Sequence, residues 1–195
     1  MILQTPEDKI PLDVSSDGKS LLYQAFGGPK TQSDLWILPL DGDQQGKDRK
    51  PIPFLQTEFN ETDGRFSPDG RWIAYTSNES GPNEIYLRSV SASSGRWQVS
   101  TSGGVGPRWR RDGRALYYLS PDNTIMAAEI EFKASTIEVS NVHRLFDVPL
   151  IVQLILPGYD VSADGNRFIV NVQSETQNQT PLSLVVNWDA ALKKK

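Results

Sequence analysis

A ten-residue string built around Asp-Gly returns four times along the chain, and this repetition constrains the fold more than any other feature. It reads SSDGKSLLYQ at 15–24, SPDGRWIAYT at 67–76, RRDGRALYYL at 110–119 and SADGNRFIVN at 162–171. The Asp-Gly pairs are Asp17-Gly18, Asp69-Gly70, Asp112-Gly113 and Asp164-Gly165, spaced 52, 43 and 52 residues apart. A second marker keeps the same period, since Leu-Gln-Thr at 3–5 recurs at 55–57. Two markers in register identify a repeat architecture, in which each unit buries its apolar faces only against its neighbours.

Each unit reads as four short strands. In the second unit, 64–67 leads into the turn and 71–77 alternates large apolar with small or polar residues. Residues 78–83 are turn chemistry, 84–90 place Ile85 and Leu87 opposite Tyr86 and Arg88, and 96–101 form a fourth strand. The first unit repeats this order at 12–15, 20–26, 34–40 and 52–57. No stretch of ten or more residues carries a helical apolar period. A type I′ hairpin, with φ > 0 at both central positions, is the expected role of Asp-Gly.

The expectation is an all-β chain: a β-propeller of four four-stranded blades, either closed as a ring or part of a larger one. The blades fall at about 11–57, 63–101, 106–146 and 157–188 in a single domain over 1–195. By the repeat, 1–5 is an outermost strand and 182–188 a third strand, so the N-terminus is expected to complete the last blade. Such closure removes an exposed edge.

Composition narrows the function classes. Hydrophobic residues make up 37% and charged residues 23% of 195, the balance of an ordinary globular chain. The apolar runs are far shorter than the ~20 residues that cross a bilayer. Nothing at 1–12 reads as a signal peptide, because Glu7, Asp8 and Lys9 interrupt it, and the compartment is left open. A net charge of −4 offers no general attraction for nucleic acid or anionic membrane. With no Cys, thiolate chemistry and disulfides are excluded.

At these residues the chain resembles the TolB-like, WD-type (PD40) propeller repeats, and most nearly the C-terminal propeller region of some bacterial serine/threonine protein kinases. The stretches that carry the resemblance are FNETDGRFSPDGRWIAYTSNESG at 59–81, WQVSTSGGVGPRWRRDGRALYYLSPD at 97–122 and YDVSADGNRFIVN at 159–171. With LVVNW at 184–188 it covers nearly the whole chain. The resemblance implies a sensor or interaction domain, and similar propellers precede the catalytic domain of prolyl-oligopeptidase-type peptidases. It also implies six to eight blades where four are legible here. No kinase HRD or DFG motif and no GxSxG hydrolase elbow is present.

The residues that carry chemistry are few. His143 is the only histidine and reads as a strand residue, because no nucleophile elbow accompanies it. One Asp per Asp-Gly turn, each on its own blade, would not converge on one metal ion. Gly103, Gly104 and Gly106 lack the Lys-Ser/Thr ending and helix of a phosphate loop and read as a link between blades. Trp109, Arg110 and Arg111 form the densest cationic and aromatic run, with Arg108 and Arg114 beside it. It would suit phosphate, carboxylate or an acidic peptide; the preferred reading packs Trp109 between blades and pairs the arginines with Asp112 and nearby acids.

Asp13, Arg65, Arg108 and Asp160, equivalent positions just before each Asp-Gly, are expected to line the mouth of the central channel. They mark a binding surface, or neighbouring blades pairing their charges. The functional expectation is a non-catalytic module for protein or ligand binding, without cofactor or metal. A protein or peptide is the first partner expected and a small ligand at the channel the second; nucleic acid and membrane insertion are not expected. An oligomer is expected if the ring is open. The alternative is the accessory or sensor propeller of a kinase or peptidase whose catalytic domain lies outside this chain. A hydrolase or lyase using channel carboxylates is a third, which needs two acids in one site.

Overall fold

The structure, a computed structural model, describes residues 3, 5–27, 32–41, 49–91, 95–133, 136–149, 158–171 and 182–186. Among them are fifteen strands and no helix. The first sheet holds β1 (Lys9–Val14), β2 (Ser20–Phe26), β3 (Ser33–Pro39) and β4 (Ile52–Leu55). The second holds β5 (Glu61–Phe66), β6 (Trp72–Ser77), β7 (Glu84–Ser89) and β8 (Arg96–Gln98). The third holds β9 (Val105–Trp109), β10 (Ala115–Leu119), β11 (Thr124–Phe132) and β12 (Ile137–Asp147). The fourth holds β13 (Tyr159–Val161), β14 (Arg167–Asn171) and β15 (Leu182–Val186). Each sheet is antiparallel and runs in chain order, as the blades of a β-propeller do. The strand expected at 1–5 lies mostly outside the described residues; Leu3 and Thr5 are described and carry no strand.

The turns differ from the type I′ expectation. Gly18, Gly70, Gly113 and Gly165 take φ between 71° and 76°, but none of the preceding aspartates has positive φ. A type I′ turn is therefore ruled out. Each turn is a four-residue loop in which the glycine N–H closes onto the carbonyl three residues back, as Gly18 does to Ser15 at 2.8 Å and Gly70 to Ser67 at 2.8 Å. The aspartate works through its side chain. Asp17 Oδ1 accepts from Ser15 Oγ at 2.7 Å and from the Lys19 N–H at 3.0 Å. Asp69 and Asp164 repeat that pattern with Ser67 and Ser162. At Asp112 the serine is replaced by Arg110, whose Nε donates at 2.8 Å. These donors hold the Asp17, Asp112 and Asp164 carboxyls below the usual range.

Strict alternation then divides each central strand between two neighbours. Ile73 and Tyr75 of β6, with Tyr86 of β7, pack on Leu22, Leu35 and Ile37 of the first sheet. Ala74, Ile85 and Leu87 turn the other way, onto Leu116, Tyr118 and Ile130 of the third. Ala115, Tyr117 and Leu119 of β10 face Phe168 and Val170 of the fourth. Aromatic rings seal these seams: Trp72 stands edge-on to Trp97 at 5.2 Å and stacks on Phe132 at 5.7 Å, and Tyr117 meets Phe168 edge-on at 5.2 Å. Among the described residues the packing runs from first sheet to second, second to third and third to fourth, with no comparable packing between fourth and first.

Candidate functional site

The innermost strands β1, β5, β9 and β13 carry Asp13, Arg65, Arg108 and Asp160, each four residues before the aspartate of its turn. Equivalent positions in a radial repeat project to the same depth, so the four side chains meet. They line one cavity of about 430 Å³, with Trp109 on its wall.

The charges are held by reciprocal contacts across the seams. Asp13 Oδ2 accepts from the Phe66 N–H at 2.9 Å, and Arg65 Nη1 donates back to the Leu12 carbonyl at 2.5 Å. Asp13 Oδ1 also accepts from the Val14 N–H at 2.9 Å, a bond that Asp160 repeats with Val161 at 2.9 Å. Arg108 is buried; its Nε lies 3.3 Å from Asp160 Oδ1, and its guanidinium sits over the Tyr159 ring, 5.4 Å from the centroid. Burial pushes the Asp13 carboxyl up, against the pull of its backbone donors and of Arg65 and Arg108. Burial and the neighbouring Arg108 charge lower Arg65.

Two further residues complete the site, and repeat logic alone does not find them. Asp63 sits where β5 bulges against β6, at φ 57°, a left-handed conformation that Asp tolerates. It is buried, its carboxyl pushed up by desolvation while Arg108 and Arg65 pull it down. Its polar neighbours are the hydroxyls of Thr62 at 3.3 Å and Thr76 at 3.4 Å. Tyr159 is buried beneath Arg108 and donates its hydroxyl to the Gly106 carbonyl at 2.6 Å. Tyr159→Phe is expected to cost roughly 1–2 kcal/mol in urea unfolding, by stranding that carbonyl. A loss below ~0.5 kcal/mol would mean that water takes the phenol's place.

The seven candidate residues thus separate. Asp13, Arg65, Arg108, Trp109 and Asp160 line one cavity. Arg110 and Arg111 lie in a groove of about 960 Å³ between the second and third sheets, beside Arg71, Arg114, Glu129 and Glu131. There Arg110 grips Asp112 with Nε and Nη2, both at 2.8 Å. Arg111 is exposed, and its backbone N–H donates to the Ala163 carbonyl at 3.0 Å. Trp109 donates Nε1–H to the Arg65 carbonyl at 3.3 Å and tilts against Phe132 at 6.1 Å, so it packs between blades.

His143 has Nδ1 2.7 Å from the Asn141 carbonyl and no carboxylate partner among the described residues. No group of three metal-ligating side chains occurs among the described residues. The link before β9 is pinned by its own N–H groups: Gly103 donates to Glu84 Oε1 at 2.9 Å, Gly104 to the Asn83 carbonyl at 2.8 Å and Gly106 to Thr76 Oγ1 at 3.2 Å.

With three four-stranded sheets and a fourth of three strands among the described residues, each packed on the next, the class is a β-propeller. The fold is similar to that of TolB from Acinetobacter baumannii, at TM-score 0.64 and 18% identity, covering 95% of this chain and 43% of that one. A putative TolB from Agrobacterium tumefaciens matches at TM-score 0.52 and 20% identity, over 71% of this chain and 50% of that one. An oligogalacturonate lyase in complex with manganese matches at TM-score 0.64 and 14% identity, over 96% of this chain and 53% of that one. The chain spans about half the length of these structures. No protein-family profile and no curated protein sequence matches it. Identities this low fix a TolB-like fold and no more, and the fold hosts both a lyase and proteins of the TolB kind.

Proposed function

We propose that this chain is a non-catalytic binding module that takes its partner, a protein segment or a small charged ligand, at the channel mouth. The observation that carries this reading is the convergence of Asp13, Arg65, Arg108 and Asp160, from four separate sheets, on one cavity. Concave sites with a few convergent polar groups are where ligands bind. The same contacts argue against acid–base catalysis. Both oxygens of Asp13 accept backbone N–H groups and Asp63 is buried beside the arginines' charge, so Asp160 is the one acid of the three with an open oxygen. An acid–base pair needs two groups within reach of a substrate. The accessory-propeller reading, for a kinase or peptidase, rests on fold likeness alone.

Trp109 lines the cavity, and its indole N–H, bonded to the Arg65 carbonyl, serves as the reporter. In ¹⁵N-labelled protein, charged peptides and small ions that bind are expected to shift its resonance. Arg65→Gln is expected to weaken that binding at least about tenfold, the loss of one charged hydrogen-bonding group, and to lower the melting temperature by freeing the Leu12 and Gly64 carbonyls, so binding is compared where both proteins are folded. If no solute of either charge moves Trp109, the reading fails.

A further inference from the structure

The four charges at the mouth are segregated. The acids sit on the first and fourth sheets, as Asp13 and Asp160; the arginines sit on the second and third, as Arg65 and Arg108. Arg65, Arg108 and Asp160 keep hydrogen-bonding groups not spent on the protein, while Asp13, both of whose oxygens accept backbone N–H groups, contributes its charge. Arg65 spends Nη1 on the Leu12 and Gly64 carbonyls, at 2.5 and 3.0 Å. Arg108 spends Nη1 on the Pro107 carbonyl at 2.9 Å and Nε on Asp160. The Nη2 group of each makes no hydrogen bond to another described residue, and Arg65 is half-buried while Arg108 is buried. On the opposite side, the Asp160 side chain is 68% exposed and its Oδ2 is bonded to no described residue.

Resting on the binding reading above, we propose that the mouth is a site for a small zwitterion, an α-amino acid or dipeptide, with its carboxylate on Arg65 and Arg108 and its ammonium on Asp160 and Asp13. A guanidinium edge takes a carboxylate by charge-assisted hydrogen bonds, and an ammonium offers three donors to two carboxylates. The cavity of about 430 Å³ is of the size that holds such a molecule. A lone anion would meet the arginines but also the two acids, and a lone cation the reverse, so each forfeits in repulsion what it gains in attraction. The same argument disfavours a metal ion, which the arginines repel. Asp63 is buried, does not line the cavity, and feels the charge of both arginines. The side chains that line the cavity, Asp13 and Asp160 against Arg65 and Arg108, are two acids and two arginines, a balance that favours a ligand with no net charge and a large dipole.

The test compares three solutes of one size, glycine, acetate and methylamine, with glycylglycine added as a longer dipole. Each is titrated into the ¹⁵N-labelled full chain while the Trp109 indole and the Arg Nε–H resonances are followed. Glycine or glycylglycine is expected to bind at least about tenfold more tightly than acetate or methylamine, because only it satisfies both sides. Asp160→Asn, at an exposed position, is expected to reduce zwitterion binding to the acetate level while leaving acetate binding unchanged or improved. Acetate binding as tightly as glycine overturns the zwitterion proposal and leaves an anion site, with the binding reading intact. A charged peptide that shifts Trp109 when no small solute does has the same effect, in favour of a protein segment. No shift with any solute overturns both.

Discussion

Gly103→Ala is expected to destabilise the protein by roughly 3 kcal/mol, combining a left-handed backbone with an overpacked site. Gly103 has φ 89°, and a Cβ built there would stand 2.3 Å from Pro121 Cγ and 2.9 Å from its Cδ. The left-handed conformation alone costs an L-residue about 1–2 kcal/mol. The remainder comes from the collision, which has no inexpensive escape. Pro121 is a rigid ring in the turn between β10 and β11, on the next blade. Gly103 itself is tethered, because its N–H donates to the buried Glu84 Oε1 at 2.9 Å, and the same carboxylate accepts from Ser100 Oγ. Moving the backbone outward to spare Pro121 would break a bond to a buried charge.

Controls separate the two contributions. Gly18 and Gly81 have φ of 72° and 104° with open space at Cβ, so alanine there should cost only the backbone share, about 1 kcal/mol. Gly95 has neither strain nor a neighbour within 4 Å, so alanine there should be close to neutral. Urea unfolding of the four variants gives the ranking, and in a chain of this size ~3 kcal/mol corresponds to a melting point roughly 6–12 °C lower. If Gly103→Ala matched Gly18→Ala, the Pro121 turn would be free to yield, and the seam between second and third sheets would be softer than its packing implies.

The repeat made the architecture legible, because a propeller blade is specified by markers that recur and by alternation that needs no long-range information. Ile85 and Leu87 were assignable to one face and Tyr86 to the other, and they lie in different seams. The turn chemistry was misread for a physical reason. Asp-Gly signals a two-residue hairpin only when the strands close directly around it, whereas here Ser15 and Ser20 close a four-residue loop in which Asp17 acts through its carboxylate. Asp13, Arg65, Arg108 and Asp160 were visible as equivalent positions of the repeat, and they line one cavity. Asp63 and Tyr159 were not. Asp63 reaches the site through a bulge, which breaks the period that would reveal it, and Tyr159 is placed by what packs above it. Trp109 separates Arg110 and Arg111 from Arg108 and ends β9, and beyond it Arg110 pairs with Asp112, the arrangement preferred on the sequence.

Between pH 4.5 and 7 the protein is expected to lose stability as the pH rises, by up to about 3 kcal/mol, through Glu61. Glu61 opens β5 at the seam between first and second sheets and is 1% exposed. Thr57 Oγ1 donates to its Oε1, while Oε2 has no hydrogen-bond partner among the described residues. Burial is the main cause of the shift; the Thr57 bond opposes it, and the Asp34 and Glu79 carboxylates add to it, bringing the group from 4.5 up to about 7. In that window the folded state keeps its proton while the unfolded chain loses it. The folded state then binds more protons, and the pH slope of stability is negative. The contribution is full below pH 4.5, declines as the pH approaches 7 and is exhausted above it. Asp17, Asp112 and Asp164, whose carboxyls are lowered, act with the opposite sign and only in more acid solution. Glu61→Gln keeps the size of the side chain and an acceptor for Thr57, and it turns amide donors toward Asp34 and Glu79. Its unfolding free energy is expected to be nearly flat from pH 5 to 8 and to exceed that of the parent at pH 8. Asp13 and Asp63, also raised by burial, contribute a slope of the same sign, and whatever remains in the Glu61→Gln profile measures them. Parallel profiles for parent and variant in urea unfolding at pH 5, 6, 7 and 8 would show that Glu61 titrates normally, and that water reaches the seam between the first two blades.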